Sequence, residues 1–340
     1  MRMSKSLKIV TFIFVLHTKL VFGQDMQFTQ FYASSLYLNP AFTGANVCSR
    51  VSLTYRNQWP GIKKAYQSYM LSMDHYLQPQ HVGIGLLFVA DKAGSGALRT
   101  TIISPSFAYE AKITKTFAIR AGIQPGVVIK SIDFDKLVFG DQISRGGNTG
   151  ASSIATIETP IQTKAFFDIN AGVLLYTAKY WGGFSVSHLT RPNESFYASE
   201  ETRLPLKFSV HGGAKFSLNE DEKDSKQKKY ISTALHYRSQ SKFDQFDIGV
   251  YYSQSIFNLG IWYRGIPGLK AYKPGYSNND AMSFIVGLQA ERVNVGYSYD
   301  VTISKLAGST HGSHEITLSY QLCNPKKKVK ARVVVACPKF

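Results

Sequence analysis

The stretch Arg292-Val-Asn-Val-Gly-Tyr-Ser-Tyr-Asp-Val301 and the later run Glu315-Ile-Thr-Leu-Ser-Tyr-Gln-Leu322 decide the fold. In both runs, apolar or aromatic residues alternate with polar residues or glycine at successive positions. Successive side chains of a β-strand point to opposite faces, so each run predicts a strand with one apolar and one polar face. Two such strands in succession predict an antiparallel hairpin, and the same alternation recurs along most of the chain.

Fourteen segments show this alternation, which predicts an all-β protein. An even number of such strands favours a transmembrane, antiparallel, up-and-down β-barrel with an apolar exterior and a polar lumen. No segment after the first 24 residues has the run of about 20 apolar residues that a spanning helix needs. Connections on one side of the predicted barrel are short, and those on the other side, such as 132–163 and 265–279, are long; the run 219–228 departs from this rule. The predicted strands are 48–57, 66–76, 81–91, 98–111, 115–131, 164–176, 180–188, 203–217, 229–238, 242–253, 256–264, 280–290, 292–301 and 313–322.

The segments outside the barrel have distinct compositions. Residues 1–24 carry a basic start and a short apolar stretch at 9–16, which is typical of a secretory signal peptide. Residues 25–47 are polar and aromatic and are predicted to enter the lumen as a plug-like segment, before a barrel over 48–322. Residues 323–340 are predicted to form a basic periplasmic tail. The β-branched end of this tail would suit pairing with the edge of a partner's sheet, and the alternative is a disordered basic tail.

Charge and cysteine content narrow the classes of partner. The formal net charge is +17, and removal of the four basic residues of the leader leaves +13. An exported chain without a nucleic-acid-binding motif is not expected to bind nucleic acid, so the charge favours outer-membrane lipid or an acidic partner, or else solvated loop lysines. Export permits disulfides. Cys323 and Cys337 form a candidate pair that leaves Cys48 over, and a free buried thiol at each position is the alternative.

The sequence contains no motif for catalysis or for a cofactor, so we expect neither an enzyme nor a cofactor-binding protein. The dipeptide His314-Glu315 lacks the second histidine of a zinc protease motif. Charged residues on the lipid face cost about 2–4 kcal/mol near the midplane, so Asp168 and Lys215 should face the lumen. Candidate lumen residues near the first and last strands are Arg56, Asp74, Asp300, His314 and Glu315. We predict that Arg56, Asp300, His314 and Glu315 form a network that closes the barrel, with contact to a plug or cargo as the alternative role.

Several short motifs, in order, resemble one family of membrane proteins. They are Gln27-Phe-Thr-Gln-Phe-Tyr32, Tyr37-Leu-Asn-Pro-Ala-Phe-Thr-Gly44, Tyr55-Arg-Asn-Gln-Trp-Pro-Gly61, Gly83-Ile-Gly85, Asp91-Lys-Ala-Gly94, Tyr297-Ser-Tyr-Asp300, Gly312-Ser-His-Glu-Ile316 and Cys337-Pro-Lys-Phe340. Their order and spacing resemble the PorP/SprF outer-membrane proteins of the type IX secretion and gliding systems of Bacteroidetes. The resemblance covers essentially the whole chain after the leader.

This resemblance implies a role at the cell surface. Members of the family work with a secretion translocon. Some are paired with a large adhesin-like cargo that they help to export or anchor, and others connect to lipoproteins that bind peptidoglycan. We therefore expect a non-enzymatic outer-membrane component of this machinery, with such cargo, secretion components and peptidoglycan-associated lipoproteins as partners. The alternative function is a porin-like solute channel, because a barrel of fourteen strands is wide enough for a narrow pore unless it is plugged.

Overall fold

The computed structural model describes residues 25–322, apart from short gaps at 47, 63–65, 95–97, 145–146, 154–159, 221, 223–226 and 274–275. The predicted signal peptide and tail lie outside these residues. Within them, fourteen antiparallel strands form one closed barrel in which each strand pairs with its neighbours in sequence and the first pairs with the last. The barrel strands are β1 (Arg50–Gln58), β2 (Tyr66–Leu77), β3 (Val82–Ala93), β4 (Leu98–Lys112), β5 (Ala118–Ser131), β6 (Thr163–Tyr176), β7 (Tyr180–Ser187), β8 (Lys207–Ser217), β9 (Lys229–Gln240), β10 (Phe243–Gln254), β11 (Phe257–Lys273), β12 (Tyr276–Gln289), β13 (Val293–Thr302) and β14 (Ser313–Gln321).

The predicted fold class is confirmed, and the alternation accounts for it. On β14, Ile316, Leu318 and Tyr320 are exposed on the outside, whereas Glu315 and Ser319 are buried inside. Exposed large apolar residues occur on the outer face of strand after strand. Because every strand has two partners, the sheet has no free edge along its length, which a bilayer requires.

The two rims of the barrel differ in their connections. The short-turn rim carries the connections 78–81, 113–117, 177–179, 218–228, 255–256 and 290–292, as well as the start of β1 and the end of β14. The long-loop rim carries the other connections, including 132–162 and 188–206. The loop 132–162 contains two turns of 3-10 helix (Phe134–Lys136 and Gly140–Gln142) and a small ribbon of Ile143–Ser144 with Gly147–Asn148.

One predicted connection is wrong. The sequence alternation placed a loop over 265–279, but β11 continues to Lys273 and β12 begins at Tyr276. The pairing between these strands shifts register near Gly265, between Ile266 and Ala271, and again before Lys273. Shifts of this kind interrupt the two-residue repeat of a strand, so a prediction that depends on strict alternation does not extend through this region.

Residues 25–46, termed the plug, fill the lumen. They include one short helix, α1 (Ser35–Leu38), and a 3-10 turn at Pro40–Phe42. The side chain of Asn39 accepts a hydrogen bond from the Ala41 amide, and Pro40 occupies the first position of the turn, so Asn39-Pro40 is a local start signal. Among the described residues, no helix is long and apolar enough to cross a bilayer.

Candidate functional site: the plugged lumen

The plug runs through the barrel from one rim to the other. Its leading residue, Asp25, contacts Lys207 and His188 at the long-loop rim. Its last residues reach the short-turn rim, where the Gly44 amide donates to Asp74 Oδ2 at 3.0 Å. Asp74 also binds Arg50 Nε at 3.3 Å. Although β1 and β14 both reach the short-turn rim, the leading end of the plug therefore lies at the opposite rim.

A carboxylate site, termed the outer-mouth site, holds the leading end. Lys207 Nζ lies 2.5 Å from Asp25 Oδ2, His188 Nε2 lies 2.9 Å from the same oxygen, and Gln240 Nε2 donates to Asp25 Oδ1 at 3.3 Å. Burial alone would raise the pKa of Asp25, but the charges of Lys207 and His188 outweigh it and hold this pKa well below its ordinary value. Asp25 therefore stays ionised in this site.

The imidazole of His188 bridges two carboxylates. Its Nδ1 lies 2.6 Å from Asp168 Oδ2, and its Nε2 faces Asp25. Asp168 lies inside the barrel, as predicted. Burial alone would lower the pKa of His188, but the charge of Asp25 and the hydrogen bond to Asp168 raise it to about 9. Because both ring nitrogens face carboxylate oxygens, His188 serves as a donor on both sides when protonated.

The first and last strands meet the plug in a charged cluster, termed the seam network. Arg56 Nη2 lies 2.9 Å from Asp300 Oδ2, and Arg56 Nη1 lies 3.1 Å from Glu315 Oε2. The two oxygens of Glu315 accept the backbone amides of Thr29 and Gln30 at 2.7 and 2.8 Å. The Thr29 hydroxyl donates to Asp300. The structure thus brings three of the four predicted network residues together, and their shared partner is the plug.

The seam network extends to three strands that the sequence analysis did not include. Arg264 on β11 lies 3.2 Å from Asp300 Oδ2 and 2.8 Å from Asp247 Oδ1 on β10. Arg238 on β9 approaches Asp247 at 3.4 Å. Arg264, Asp247 and Asp300 are buried and Arg238 is half-buried. Each arginine is placed against a carboxylate, which offsets the large cost of burying an isolated charge.

His314 does not belong to the seam network, and its predicted lumen position is wrong. It follows Ser313 and precedes Glu315, both of which face inward, so the alternation of a strand turns His314 outward. On the outer wall, His314 Nδ1 lies 2.8 Å from the hydroxyl of Tyr297, and its ring lies 4.9 Å from that of Tyr299. Two consecutive residues of a regular strand cannot both line the lumen.

The lower half of the plug (residues 39–44) is held by hydrogen bonds to backbone. The Asn39 side-chain amide donates to the carbonyls of Val173 on β6 and Phe184 on β7, at 3.1 and 3.3 Å. The same amide lies 3.3 Å from His211 Nε2. Asn39 therefore fixes the helical turn of the plug against two strands at once.

Arg120 secures the same segment from β5. Its guanidinium is fully buried and donates to the carbonyls of Ala41, at 2.9 Å, and Thr43. It also forms an ion pair with Glu110 at 2.7 Å, and Glu110 accepts hydrogen bonds from the hydroxyls of Tyr76 and Tyr176. The plug carbonyls thus complete the coordination of a buried and neutralised arginine.

Glycines on the wall permit this close approach. A Cβ built on Gly83 would lie closer than 3.0 Å to the backbone of Thr43, and one built on Gly122 would lie closer than 3.0 Å to the backbone of Pro40 and Ala41. The contact atoms belong to the plug backbone, which cannot rotate away as a side chain can. Only glycine fits these two positions while the plug keeps this path.

Aromatic side chains fill the rest of the lumen on the side of β7 and β11. Phe31 packs against Trp262 with ring centroids 4.9 Å apart, and Tyr32 packs against Trp181 at 4.8 Å. Phe42, in the segment 39–44 of the plug, also packs against Trp181, with ring centroids 6.2 Å apart. All five rings are buried. They form the main hydrophobic core of the plugged barrel, because the outer apolar faces of the strands point away from it.

Cys48 is in a disulfide bond and is buried. The sequence analysis left Cys48 over when Cys323 pairs with Cys337, and this assignment of Cys48 is wrong. Cys323 and Cys337 both lie outside the described residues. Cys48 stands between the plug and β1, so its bond restrains the chain where it passes from the lumen into the wall.

The sequence analysis missed most of the plug contacts. Alternation does place Lys207 on the same face of its strand as His211, so its inward orientation could have been inferred. The partner of Lys207 could not have been inferred, because Lys207 and Asp25 are 182 residues apart in the sequence. Among the described residues, no group of three or more histidine, cysteine or acidic side chains is arranged to hold a metal ion.

Comparison with known protein families identifies the chain. A family profile described as "Type IX secretion system membrane protein PorP/SprF" matches residues 20–320. The chain belongs to this PorP/SprF family. The match spans the plug and nearly all of the barrel. This PorP/SprF protein is therefore an outer-membrane protein of the type IX secretion family. No curated protein matches it in sequence.

Comparison with solved structures finds several chains that are similar to this PorP/SprF protein. The KdgM porin has 8% sequence identity and a TM-score of 0.35, and the alignment covers 81% of this chain and 99% of the porin. The Pseudomonas putida toluene transporter TodX has 8% identity and a TM-score of 0.45, with 84% and 91% covered. A Pseudomonas aeruginosa FadL homologue has 11% identity and a TM-score of 0.41, with 86% and 94% covered. At these identities, the likeness extends to the fold alone.

Proposed function

We propose that this PorP/SprF protein is a non-enzymatic docking component that helps to export or anchor a large adhesin-like protein at the cell surface. Family membership supports a place in type IX secretion. The observation that carries the proposal further is the plug, which fills the lumen and is bonded to the wall from one rim to the other. A barrel filled in this way offers its rims and loops, rather than its interior, to partners.

The plug also argues against the porin-like alternative. An open pore needs a continuous aqueous path, whereas here Glu315, Asp300 and Arg120 use their charges to bind the plug or one another. Removal of the plug from this arrangement would leave buried charges without the plug groups that neutralise or solvate them. The same use of the lumen carboxylates as structural acceptors favours a protein without catalytic function.

The proposed partners follow from the two rims. The long-loop rim would face the exterior and meet the cargo, and the short-turn rim would face periplasmic components such as peptidoglycan-associated lipoproteins. The apolar belt between the rims contacts outer-membrane lipid.

Deletion of the protein followed by quantitative proteomics of the cell surface tests the proposal. We expect selective loss of one or a few large surface proteins, with recovery when the wild-type chain is restored. A matched strain that carries His314→Gln, a change on the outer wall, should retain export. Unchanged surface proteins and unchanged motility in the deletion strain would contradict the proposal. Steady ion-selective conductance of the purified protein in planar bilayers would instead support the channel.

A further inference from the structure

The outer-mouth site has the chemistry of a carboxylate receptor. An ammonium (Lys207), an imidazole held by Asp168 (His188) and an amide (Gln240) converge on one carboxylate, that of Asp25. Hydrogen bonds between ionised groups are stronger than neutral ones, and a cationic donor set selects anions. The side chain of Asp25 is 19% exposed and that of Lys207 is 16% exposed, so solvent reaches the site from the long-loop rim.

The part of the plug that fills this site is held differently from the rest. Behind Asp25, the Tyr37 hydroxyl donates to the Met26 carbonyl at 3.0 Å, a contact within the plug. Phe28 packs edge-on against Tyr37 at 5.4 Å and belongs to a buried hydrophobic cluster with Met70, Leu87 and Val89 of the wall. Gln27 accepts one hydrogen bond from Arg238 at 3.1 Å. The seam network begins deeper, at Thr29. Residues 25–27, which are half-buried, can therefore leave the wall while Phe28, the seam network and the lower half keep their contacts.

We propose that the outer-mouth site is a carboxylate-exchange site. In the resting protein Asp25 occupies it, and an acidic side chain of the exported partner protein takes it when that partner docks at the long-loop rim. This inference rests on the proposed docking function. Exchange of one carboxylate for another keeps Lys207 and His188 neutralised, which avoids the cost of leaving buried charge unpaired. The net charge of +13 after the leader also attracts acidic segments over a distance.

Labelling of the plug tests the exchange. Met26→Cys, next to Asp25, provides a thiol that a membrane-impermeant maleimide can reach only when the leading end is released. The measured quantity is the rate at which intact cells are labelled. The rate for cells that carry the chain without Met26→Cys is subtracted as background. Asp25→Asn in this background should speed labelling about tenfold or more, because it removes a charge-assisted contact. Asp133→Asn, an exposed aspartate in a loop of the same rim, is the matched control and should leave the rate unchanged.

An acidic peptide then tests whether the site accepts a carboxylate from outside. The probe is acetylated and amidated tetraglutamate, and the control peptide is tetraglutamine at the same ionic strength. Tetraglutamate should speed labelling of Met26→Cys in a saturable way, and Lys207→Gln should abolish this effect. Lys136→Gln, which removes an exposed lysine of the same rim, should preserve it. Gel migration of unheated and heated samples establishes that each variant forms a barrel.

Two results would overturn the inference. Equal labelling of the Asp25→Asn and Asp25 chains would show that the outer-mouth site does not hold the leading end. Equal effects of tetraglutamate and tetraglutamine would show that the site accepts no external carboxylate. Neither result touches the docking function itself, which the deletion strain tests. If that strain loses surface proteins while Lys207→Gln exports them normally, docking stands and the exchange site fails.

Discussion

Different kinds of contact hold the two ends of the plug in the barrel. Residues 25–30 are attached through ionised side chains: Asp25 binds Lys207 and His188, and Glu315 binds two plug amides. The backbone of residues 39–44 lies against glycines of the wall, and its hydrogen bonds go to Asp74 and Arg120, whose charges are paired with Arg50 and Glu110 within the wall. Ionic contacts respond to pH, salt and competing ions. Steric contacts with backbone do not, so the lower half is the permanent anchor and the leading half is the adjustable one.

The largest effect should come from a side chain placed under the lower half. Gly122→Val puts a branched side chain where the backbone of Pro40 and Ala41 lies, and β5 cannot move away without losing pairing with its two neighbouring strands. We expect failure of barrel assembly. The measurement is the loss, in outer-membrane fractions, of the folded gel band whose migration changes when the sample is heated. Gly140→Val is the control, because a Cβ there meets no atom within 4 Å. Normal assembly of Gly122→Val would show that the plug is not seated by close contact.

Loss of the arginine of the lower half should come next. Arg120→Met leaves Glu110 buried without its cation and leaves two plug carbonyls without a donor. Removing one partner of a buried ion pair costs about 3–5 kcal/mol. We expect this loss in the free energy of unfolding, measured by urea titration in detergent. Arg99→Met, an exposed arginine on the neighbouring strand, should cost under about 0.5 kcal/mol. Equal effects would remove the distinction between buried anchor and surface charge.

The sequence predicts the wall of the barrel better than it predicts the contacts of the plug. Alternation on β13 and β14 predicted the barrel and the inward orientation of Asp300 and Glu315, because each strand carries that information locally. The same rule should have excluded His314, which is adjacent to Glu315. The ionic and backbone contacts of the plug depend on pairs such as Asp25 with His188, 163 residues apart, which no local pattern specifies. The extension of β11 was not predicted, because its register shifts interrupt the alternation on which a strand prediction depends.

A charge-removing change in the leading half should have an intermediate effect. Glu315→Gln keeps an acceptor oxygen for only one of the two amides of Thr29 and Gln30 and turns a donor NH2 toward the other. It also removes the ion pair with Arg56, which retains Asp300. Weakening a buried charged hydrogen-bond group costs about 1.5–3 kcal/mol. We expect this loss by the same urea titration. His314→Gln is a close control, since it lies one residue away on the outer wall. A larger loss than that of Arg120→Met would reverse the ranking of the two halves.

The smallest predicted effect is the response of the leading half to alkaline pH. The pKa of His188 is about 9 in the folded protein, against about 6.5 when unfolded. A raised pKa means that the stabilisation is complete below about pH 6.5 and is lost as pH rises through 9. Between pH 7.5 and 10, unfolding should become easier by on the order of 1–2 kcal/mol through this residue.

The measurement is the difference in unfolding free energy between pH 7.5 and 10, taken for the wild type and for His188→Gln. The groups that face His188 are Asp168 on β6, Asp25 on the plug and Lys207 on β8, and the lowered pKa of Asp25 keeps it ionised across this range. Subtracting the variant therefore removes the titration of lysines and tyrosines elsewhere. The lower half, which contains no group that titrates in this range, should keep its protection from hydrogen exchange at pH 10. Equal pH dependence in the two proteins would mean that the leading end is not held by the imidazolium, and the contrast between the halves would then rest on sterics alone.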